Sequence, residues 1–220
     1  MRGTDRPTIT LFWALILIIA GIRILAGESV VPACLLAIVL LTSGIEIPVA
    51  RKRMQKPGYT IESVNILEEI YSVELERDFS DKKRFFNTTI TLNLGGFLIP
   101  LAAALYLGIT HPNLASIEIC VITIAVIYIM TPFRDGIGLV LPGYSGVVPL
   151  ALSILLAPPG DVAAATFTAG VCGILIGLCA ALSSIDTEQQ GSPRISLGGA
   201  GSFQAIYMTM VLAALVSSIG

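Results

Sequence analysis

The sequence predicts an all-α fold, a polytopic integral membrane helix bundle of about seven transmembrane helices. Composition is one reason, because 55% of the 220 residues are hydrophobic and only 13% are charged, whereas soluble domains carry about 25% charged residues. The length of the apolar stretches is the second reason, since a helix needs about 20 apolar residues to cross the hydrocarbon core. The distribution of lysine and arginine is the third.

Seven apolar stretches meet the length criterion, and we expect each to form a membrane-spanning helix. They are Thr8–Ala26, Val30–Ala50, Thr88–Ile109, Ala115–Met130, Ile137–Ala157, Val162–Leu182 and Ser196–Ser218. The first follows Arg2 and Arg6 as a signal peptide would, but no small-residue cleavage site follows it convincingly. We therefore interpret it as a retained signal anchor.

The basic residues predict the orientation of these spans in a cell membrane. With the N-terminus in the cytoplasm, twelve of the thirteen lysines and arginines fall in cytoplasmic segments, and the exception, Arg23, lies within the first span. The outer loops around Gly27–Ser29, Thr110–Leu114 and Pro158–Asp161 contain neither residue. By the positive-inside rule the N-terminus is cytoplasmic, and seven spans place the C-terminus outside.

One longer polar segment, 51–87, interrupts the single transmembrane domain 1–220, and we predict that it is a cytoplasmic amphipathic connection. Apolar residues recur at helical spacing within it, namely Val64, Leu67, Ile70, Tyr71 and Leu75. This spacing is typical of a helix lying along the membrane surface. Shorter alternations of apolar and polar residues in the same segment leave a small hairpin open as the alternative.

Several classes of function lack support in the sequence. A net charge of −2 without a basic stripe argues against nucleic-acid binding. The four cysteines lie inside apolar stretches and have no zinc-ligand spacing, so we expect free thiols, no metal and no cofactor. The single histidine, His111, stands beside Pro112 in a predicted loop. Motifs of nucleotide-binding loops, zinc proteases and serine hydrolases are missing.

Glycine, proline and polar residues interrupt the third, fifth and seventh predicted spans, about 8–12 Å from their cytoplasmic ends at 1.5 Å per helical residue. The predicted binding residues at these breaks are Asn93, Gly95, Gly96, Tyr144, Ser145, Gly198, Gly199, Gly201 and Gln204. Backbone groups freed at such breaks are tolerated within a membrane only when they are buried in protein or line a wet cavity. Broken helices of this kind form ion and substrate sites in transporters.

Close helix packing is the alternative explanation for these glycines. In either case we expect Gly95–Gly96 to contact Gly198–Gly201, close to Pro142–Gly146. We also expect Gln204 to point inward at Asn93 or at the backbone of residues 144–145, because its amide both donates and accepts hydrogen bonds. The sixth span shows packing spacing alone, with small residues every four positions at Ala169, Gly173, Gly177 and Ala181.

Three charged residues lie within the predicted spans. We expect Arg23 and Glu118, both near the outer ends of their spans, to pair or to extend to the interface. Glu46 lies near the inner end of the second span, about one helical turn from Arg51. Structural ion pairing is the interpretation we favour for all three.

Four motifs in this order and spacing resemble the multi-pass prokaryotic membrane proteins grouped as domain of unknown function 1614. They are "NLGGFLIP" (93–100), "PGYSGVVPLALSILLAPPGD" (142–161), "AGVCGILIG" (169–177) and "SLGGAGSFQAIY" (196–207). The resemblance covers most of the chain from about residue 44. It implies a multi-pass membrane protein and no established activity.

The resemblance also implies two aspartates in the family, at the positions that correspond to Cys179 and Gln204 here. Two such carboxylates on adjacent membrane helices are similar to the catalytic pair of an intramembrane aspartyl protease, in which two acids share a proton. A thiol and an amide cannot share that proton. We therefore expect no catalytic residue and no activity in this sequence as it stands.

Three hypotheses for the function remain open. The first is a protein that handles a solute or ion at the buried polar site formed by the broken helices. The second is a fold similar to an intramembrane aspartyl protease that lacks the catalytic aspartates and has a membrane peptide as its partner. The third is a structural or assembly subunit whose glycines serve packing. The lipid bilayer is the expected partner in all three, nucleic acid in none, and each is compatible with a homo-oligomer.

Overall fold

A computed structural model describes residues 6–55, 85–187 and 190–218 of the chain. The described part is mostly helical, and its seven α-helices follow one another along the chain. They are α1 (Arg6–Leu25), α2 (Val31–Thr42), α3 (Ile99–Thr110), α4 (Leu114–Met130), α5 (Val148–Leu156), α6 (Val162–Ser183) and α7 (Phe203–Val216).

Local sequence signals explain where several helices begin. Proline occupies the first turn of α2, α3 and α5, where its missing N–H costs no helical hydrogen bond. The side chain of Asn113 caps α4 by accepting a hydrogen bond from the Ala115 amide at 2.8 Å. Both signals fix the helix starts independently of hydropathy.

A mixed three-stranded sheet accompanies the helices. Strand β1 (Glu46–Gln55) pairs antiparallel with β2 (Phe85–Asn93), with a bulge between Pro48 and Ala50. The strand order is β1-β2-β5, because β5 (Arg194–Leu197) pairs parallel with β2. A two-stranded ribbon is formed by β3 (Phe133–Arg134) and β4 (Gly138–Leu139).

The all-α expectation is therefore wrong for the segments that form this sheet. The strands take residues from the predicted spans Val30–Ala50, Thr88–Ile109 and Ser196–Ser218. The sequence of β2, "FFNTTITLN", is rich in β-branched residues that favour extended backbone. An apolar window counts such residues equally in a helix and in a strand, so hydropathy alone could not separate the two.

Only two of the described helices are long and apolar enough to cross a membrane, over Thr8–Leu25 and Pro159–Ser183. The other apolar helices are shorter, and in four of the predicted spans this is because part of the span forms a strand, a turn or another irregular segment. A π-helical turn at Leu94–Leu98 precedes α3, and a 3₁₀ turn at Gly143–Val147 precedes α5. Residues 51–55 and 85–87 lie in strands, and the rest of the predicted amphipathic connection, 56–84, lies outside the described residues.

Helix α6 forms the centre of the bundle. Of its membrane-length stretch 61% is buried inside the protein, compared with 22% for α1. A Cβ atom on Gly173 would lie 2.6 Å from the Thr123 Cβ, and one on Gly177 would lie 2.9 Å from the Ile127 Cβ, so both glycines pack directly on α4. The packing role predicted for these two glycines is confirmed.

Polar contacts join the helix ends opposite the sheet. The Asn113 amide, before α4, donates to Asp161, before α6, at 2.7 Å. Arg23, near the end of α1, forms an ion pair of 3.3 Å with Glu28 and donates to Ser217 Oγ, just after α7, at 2.8 Å. The alternative in which Arg23 pairs with Glu118 is wrong, because the Glu118 side chain is exposed and closer partners satisfy the guanidinium.

Candidate functional site

Three backbone segments with broken helical structure meet at the sheet end of the bundle, and we call them the glycine junctions. They are Asn93–Gly96, Pro142–Gly146 and Gly198–Gln204. A Cβ atom on Gly96 would overlap the Gly198 carbonyl, and one on Gly198 would overlap the Gly96 carbonyl. The predicted contact between the two double-glycine motifs is therefore confirmed, and it leaves no room for a side chain.

The third junction turns the chain from β5 into α7. Gly198 and Gly201 have φ angles of +74° and +92°, a region that favours glycine. The Gly198 amide donates to Ser202 Oγ at 3.1 Å, and the Leu141 amide donates to the Gly201 carbonyl at 2.7 Å. The predicted break at this end of the seventh span is thus a strand-to-helix turn.

The side chain of Asn93 holds the first junction in place. Asn93 is completely buried, its Oδ1 accepts from the Gly96 amide at 2.7 Å, and its Nδ2 donates to the Ser43 carbonyl at 2.6 Å. Gly95 packs at the same point against the backbone at the end of α2. The Asn93 amide thus caps the π-helical turn and ties β2 to α2, and both ends of the amide are engaged.

The second junction packs against the start of α7. Ser145 is completely buried and its hydroxyl donates to the Pro142 carbonyl at 2.6 Å. Thr209 in α7 donates its hydroxyl to the Gly146 carbonyl at 3.0 Å. Tyr144, by contrast, is 69% exposed, so the structure does not bring it together with Asn93 and Ser145 in the interior.

The predicted orientation of Gln204 is wrong. Its side chain is exposed and lies over Gly143, where a Cβ atom would be 3.0 Å from Gln204 Oε1. The interior is occupied instead by Phe203, whose ring stacks on Tyr207 with centroids 5.6 Å apart and also approaches Phe12. Burial of the aromatic ring directs the next residue outward, because successive helical residues point about 100° apart.

Cys179, the other position implied by the family resemblance, is also exposed, on α6. It lies three residues after Ile176, which is exposed as well. Both family-equivalent positions therefore lie on the outer surface of the bundle, on α6 and α7.

A polar cluster that the sequence did not predict joins the three strands of the sheet beside the third junction. Glu46 Oε2 accepts from Thr91 Oγ1 at 2.7 Å, and Glu46 Oε1 accepts from Ser196 Oγ at 2.9 Å. Arg194 Nη1 lies 3.6 Å from Glu46 Oε2, and the glutamate side chain is only 10% exposed. A Cβ atom on Gly199 would lie 2.9 Å from Glu46 Oε1, so the turn closes over the carboxylate. We call this group the Glu46 cluster.

The sequence carried one signal for this cluster. Glu46 is a carboxylate between apolar residues, and its position in the sequence predicts an ion pair with Arg51 or a neighbouring basic residue. That partner is wrong, because the strand carries Arg51 to a position opposite Thr89, while Arg194 comes from a strand nearly 150 residues away. Among the residues the structure describes, no group of three or more His, Cys, Asp or Glu side chains could hold a metal ion.

The comparisons with known proteins agree with the resemblance seen in the motifs. The family described as "Protein of unknown function (DUF1614)" matches residues 40–216, about four-fifths of the chain. No curated protein and no solved structure matches the chain. The matched region contains all three glycine junctions and the Glu46 cluster. The chain therefore belongs to the DUF1614 family of proteins of unknown function.

Proposed function

We propose that the protein is a multi-pass integral membrane protein with a structural or assembly role. In this proposal the glycine junctions stabilise the packing of the helix bundle against the sheet. The observation that carries the membrane part is a belt of large apolar side chains exposed on the helices. Examples are Leu17 and Leu25 in α1, Ile109 in α3, Ile129 in α4 and Leu155 in α5, each at least 70% exposed.

Such a surface is difficult to reconcile with water. Contiguous apolar patches on soluble monomers rarely exceed a few hundred Å², and each Å² of apolar surface exposed to water costs roughly 25 cal/mol. The same side chains are favourably placed against lipid chains. The shorter helices fit this environment because irregular backbone at their ends is covered by the rest of the protein.

We also propose that the sheet end of the protein lies in the cytoplasm, and the arrangement of basic residues supports this orientation. Arg51 and Arg53 in β1, Arg134 in β3 and Arg194 in β5 all lie at the sheet end, because Gly136 beside β3 contacts the Gly191 segment that leads into β5. The positive-inside rule places this end in the cytoplasm.

Tight packing at the junctions favours the structural role over an open binding site. Gly96 and Gly198 leave no space between their backbones. The side chains of Asn93 and Ser145 form hydrogen bonds with neighbouring backbone groups. Hydrolysis by an aspartate pair also has no support here, since positions 179 and 204 carry a thiol and an amide.

Two measurements test this proposal. Resistance of the protein to carbonate extraction tests integral membrane association. For orientation, Lys52→Cys and His111→Cys are introduced separately after the native cysteines are replaced, and intact cells are treated with a membrane-impermeant maleimide. We expect labelling at position 111 in intact cells and at position 52 only after permeabilisation. Extraction by carbonate, or the opposite labelling pattern, would contradict the proposal.

A second candidate function, the handling of an ion or solute, draws support from the Glu46 cluster. A nearly buried carboxylate that accepts hydrogen bonds from two hydroxyls is the kind of group that marks ion pathways in membrane proteins. In the described part of the chain the hydroxyls of Thr123, Ser153 and Tyr207 are also buried without a hydrogen-bond partner. Proton flux into vesicles that contain a trapped pH-sensitive dye would test this candidate. Flux that is present in the native protein and lost in Glu46→Gln would favour it over the structural role.

A further inference from the structure

Helices α4 and α6 pack against each other in parallel. The hydroxyl oxygens of Ser116 in α4 and Thr168 in α6 lie 3.5 Å apart. Further along both helices, a Cβ atom on Gly173 would lie 3.1 Å from the Cys120 carbonyl oxygen. Because these contacts advance in the same direction along α4 and α6, residues that follow Ser116 and Thr168 at equal spacing come to face each other.

The next turn of each helix carries a cysteine at the facing position. Cys120 follows Ser116 by four residues, and Cys172 follows Thr168 by four residues. Side chains four residues apart in a helix lie on the same face, one above the other. The two thiols are also close enough that a charge on one would affect the other. We call Cys120 and Cys172 the thiol pair.

The contact between the two helices is suited to a bond between the two sulfur atoms. A disulfide joins Cα atoms about 4–7 Å apart, so two helices can carry one only where their backbones approach closely. Gly173, the residue after Cys172, provides that approach because it presents no side chain to α4. Both thiols of the pair are free and only half-buried, so a small neutral molecule can reach them.

We propose that the thiol pair is a modification site, at which a hydroperoxide oxidises Cys120 and Cys172 to a disulfide that links α4 to α6. A structural zinc ion suits the pair less well, because such sites use four ligands. Among the residues that the structure describes, no group of three or more His, Cys, Asp or Glu side chains could supply them. Cys179 lies two helical turns beyond Cys172, roughly 10 Å along the helix, which is too far for the two to bond to each other.

The oxidation balances in two steps. In the first, the sulfur of one thiol attacks an oxygen atom of hydrogen peroxide, the O–O bond breaks, and a sulfenic acid and one water molecule form. In the second, the sulfur of the other thiol attacks the sulfenic sulfur, the S–S bond forms, the S–O bond breaks, and a second water molecule leaves. The two sulfur atoms together lose two electrons, which reduce the peroxide.

Peroxide treatment of the purified full-length protein tests this proposal. The protein in detergent is incubated with hydrogen peroxide, denatured and alkylated with N-ethylmaleimide, and its intact mass is measured. We expect two of the four cysteines to escape alkylation, with the loss of two hydrogen atoms, and dithiothreitol to restore the alkylation of both. Peptide mapping should identify the linked residues as Cys120 and Cys172.

Two matched double variants separate the thiol pair from the exposed cysteines. Cys34→Ser with Cys179→Ser changes only exposed positions, keeps the thiol pair and should form the link to the same extent as the native protein. Cys120→Ser with Cys172→Ser keeps the other two cysteines and should leave both open to alkylation.

Non-reducing electrophoresis completes the test, because a link within one chain keeps the mobility of a monomer. Complete alkylation of the native protein after peroxide treatment would overturn the proposal. Equal protection in the two double variants, or links found only between separate chains, would also overturn it. Since every measurement is made in detergent, none of these outcomes depends on the proposed membrane location.

Discussion

At the scale of single residues, the glycines of the junctions act through the side chains they lack. Gly96 and Gly198 bring two backbone segments together, whereas the adjacent Gly95 packs on the end of α2 and Gly199 packs on Ser196. This contact could be predicted from the sequence, because glycine is the residue that permits such an approach. The direction of Gln204 could not, since it depends on which neighbour, Phe203 or Gln204, takes the interior.

Substitution of Gly96 by alanine should lower the stability of the protein. The new methyl group would overlap the Gly198 carbonyl, and overpacking of this kind costs about 1–3 kcal/mol. Gly108→Ala is the matched control, because Gly108 also lies in the segment that leads through α3 and has no atom within 4 Å of its Cβ position. Thermal unfolding in detergent measures both. Equal melting temperatures for the two variants would contradict the packing.

Asn93→Ala should destabilise the protein for a different reason. The substitution leaves the buried Gly96 amide and the Ser43 carbonyl without their partner, and an unsatisfied buried group costs about 1–3 kcal/mol. Asn87→Ala changes the same residue type on the same strand at an exposed position. The difference in free energy of unfolding between the two variants reports the cap, and no difference would argue against it.

At the scale of elements, the sheet shows where hydropathy stops being informative. Strand β2 and the helix after it form one continuous apolar stretch, and the change from strand to helix occurs at Asn93 and the glycines that follow. The β-branched residues Thr88, Thr89, Ile90 and Thr91 within β2 were the available signal for extended backbone. The parallel partner of β2 comes from residues 194–197, a pairing that no local pattern could specify.

The Glu46 cluster predicts unequal effects for two threonines on one face of β2. Thr91→Val removes a hydroxyl that donates to Glu46 at 2.7 Å, which leaves a charged acceptor with one partner fewer and should cost about 1–3 kcal/mol. Thr89→Val has the same change in shape, two residues away and outside the cluster. Chemical denaturation of the two variants provides the comparison. A larger loss of stability for Thr89→Val would rule out the cluster as a link between strands.

At the scale of the whole molecule, the distribution of basic residues in the sequence is a more robust signal than the number of predicted spans. The arginines of the described strands lie at the sheet end, and only two described helices reach membrane-spanning length. The number of basic residues at each end of the bundle changes little when a helix boundary is predicted wrongly, because it depends only on the end at which each loop lies. Helix lengths are more sensitive to such errors, since a few residues in a strand or a 3₁₀ turn shorten a predicted span.

The absence of hydrolytic activity is a prediction about the whole fold. We expect neither the native protein nor the double variant Cys179→Asp, Gln204→Asp to cleave a membrane-embedded peptide, because both positions face outward from the bundle. Electrophoresis of a reconstituted model peptide measures cleavage. Cleavage by the variant alone would mean that the two positions come together as an acid pair, and the protease-like hypothesis would then replace the structural one.

The contact between the first and last helices has a consequence for biosynthesis. The rings of Phe12 in α1 and Tyr207 in α7 have centroids 4.3 Å apart, and Arg23 donates to Ser217. At about 5–20 residues per second, the ribosome adds the residues that separate these partners in roughly 10–40 s. During that interval α1 has none of its α7 contacts, so an interruption of translation before α7 leaves the first helix without these ring and hydrogen-bond partners.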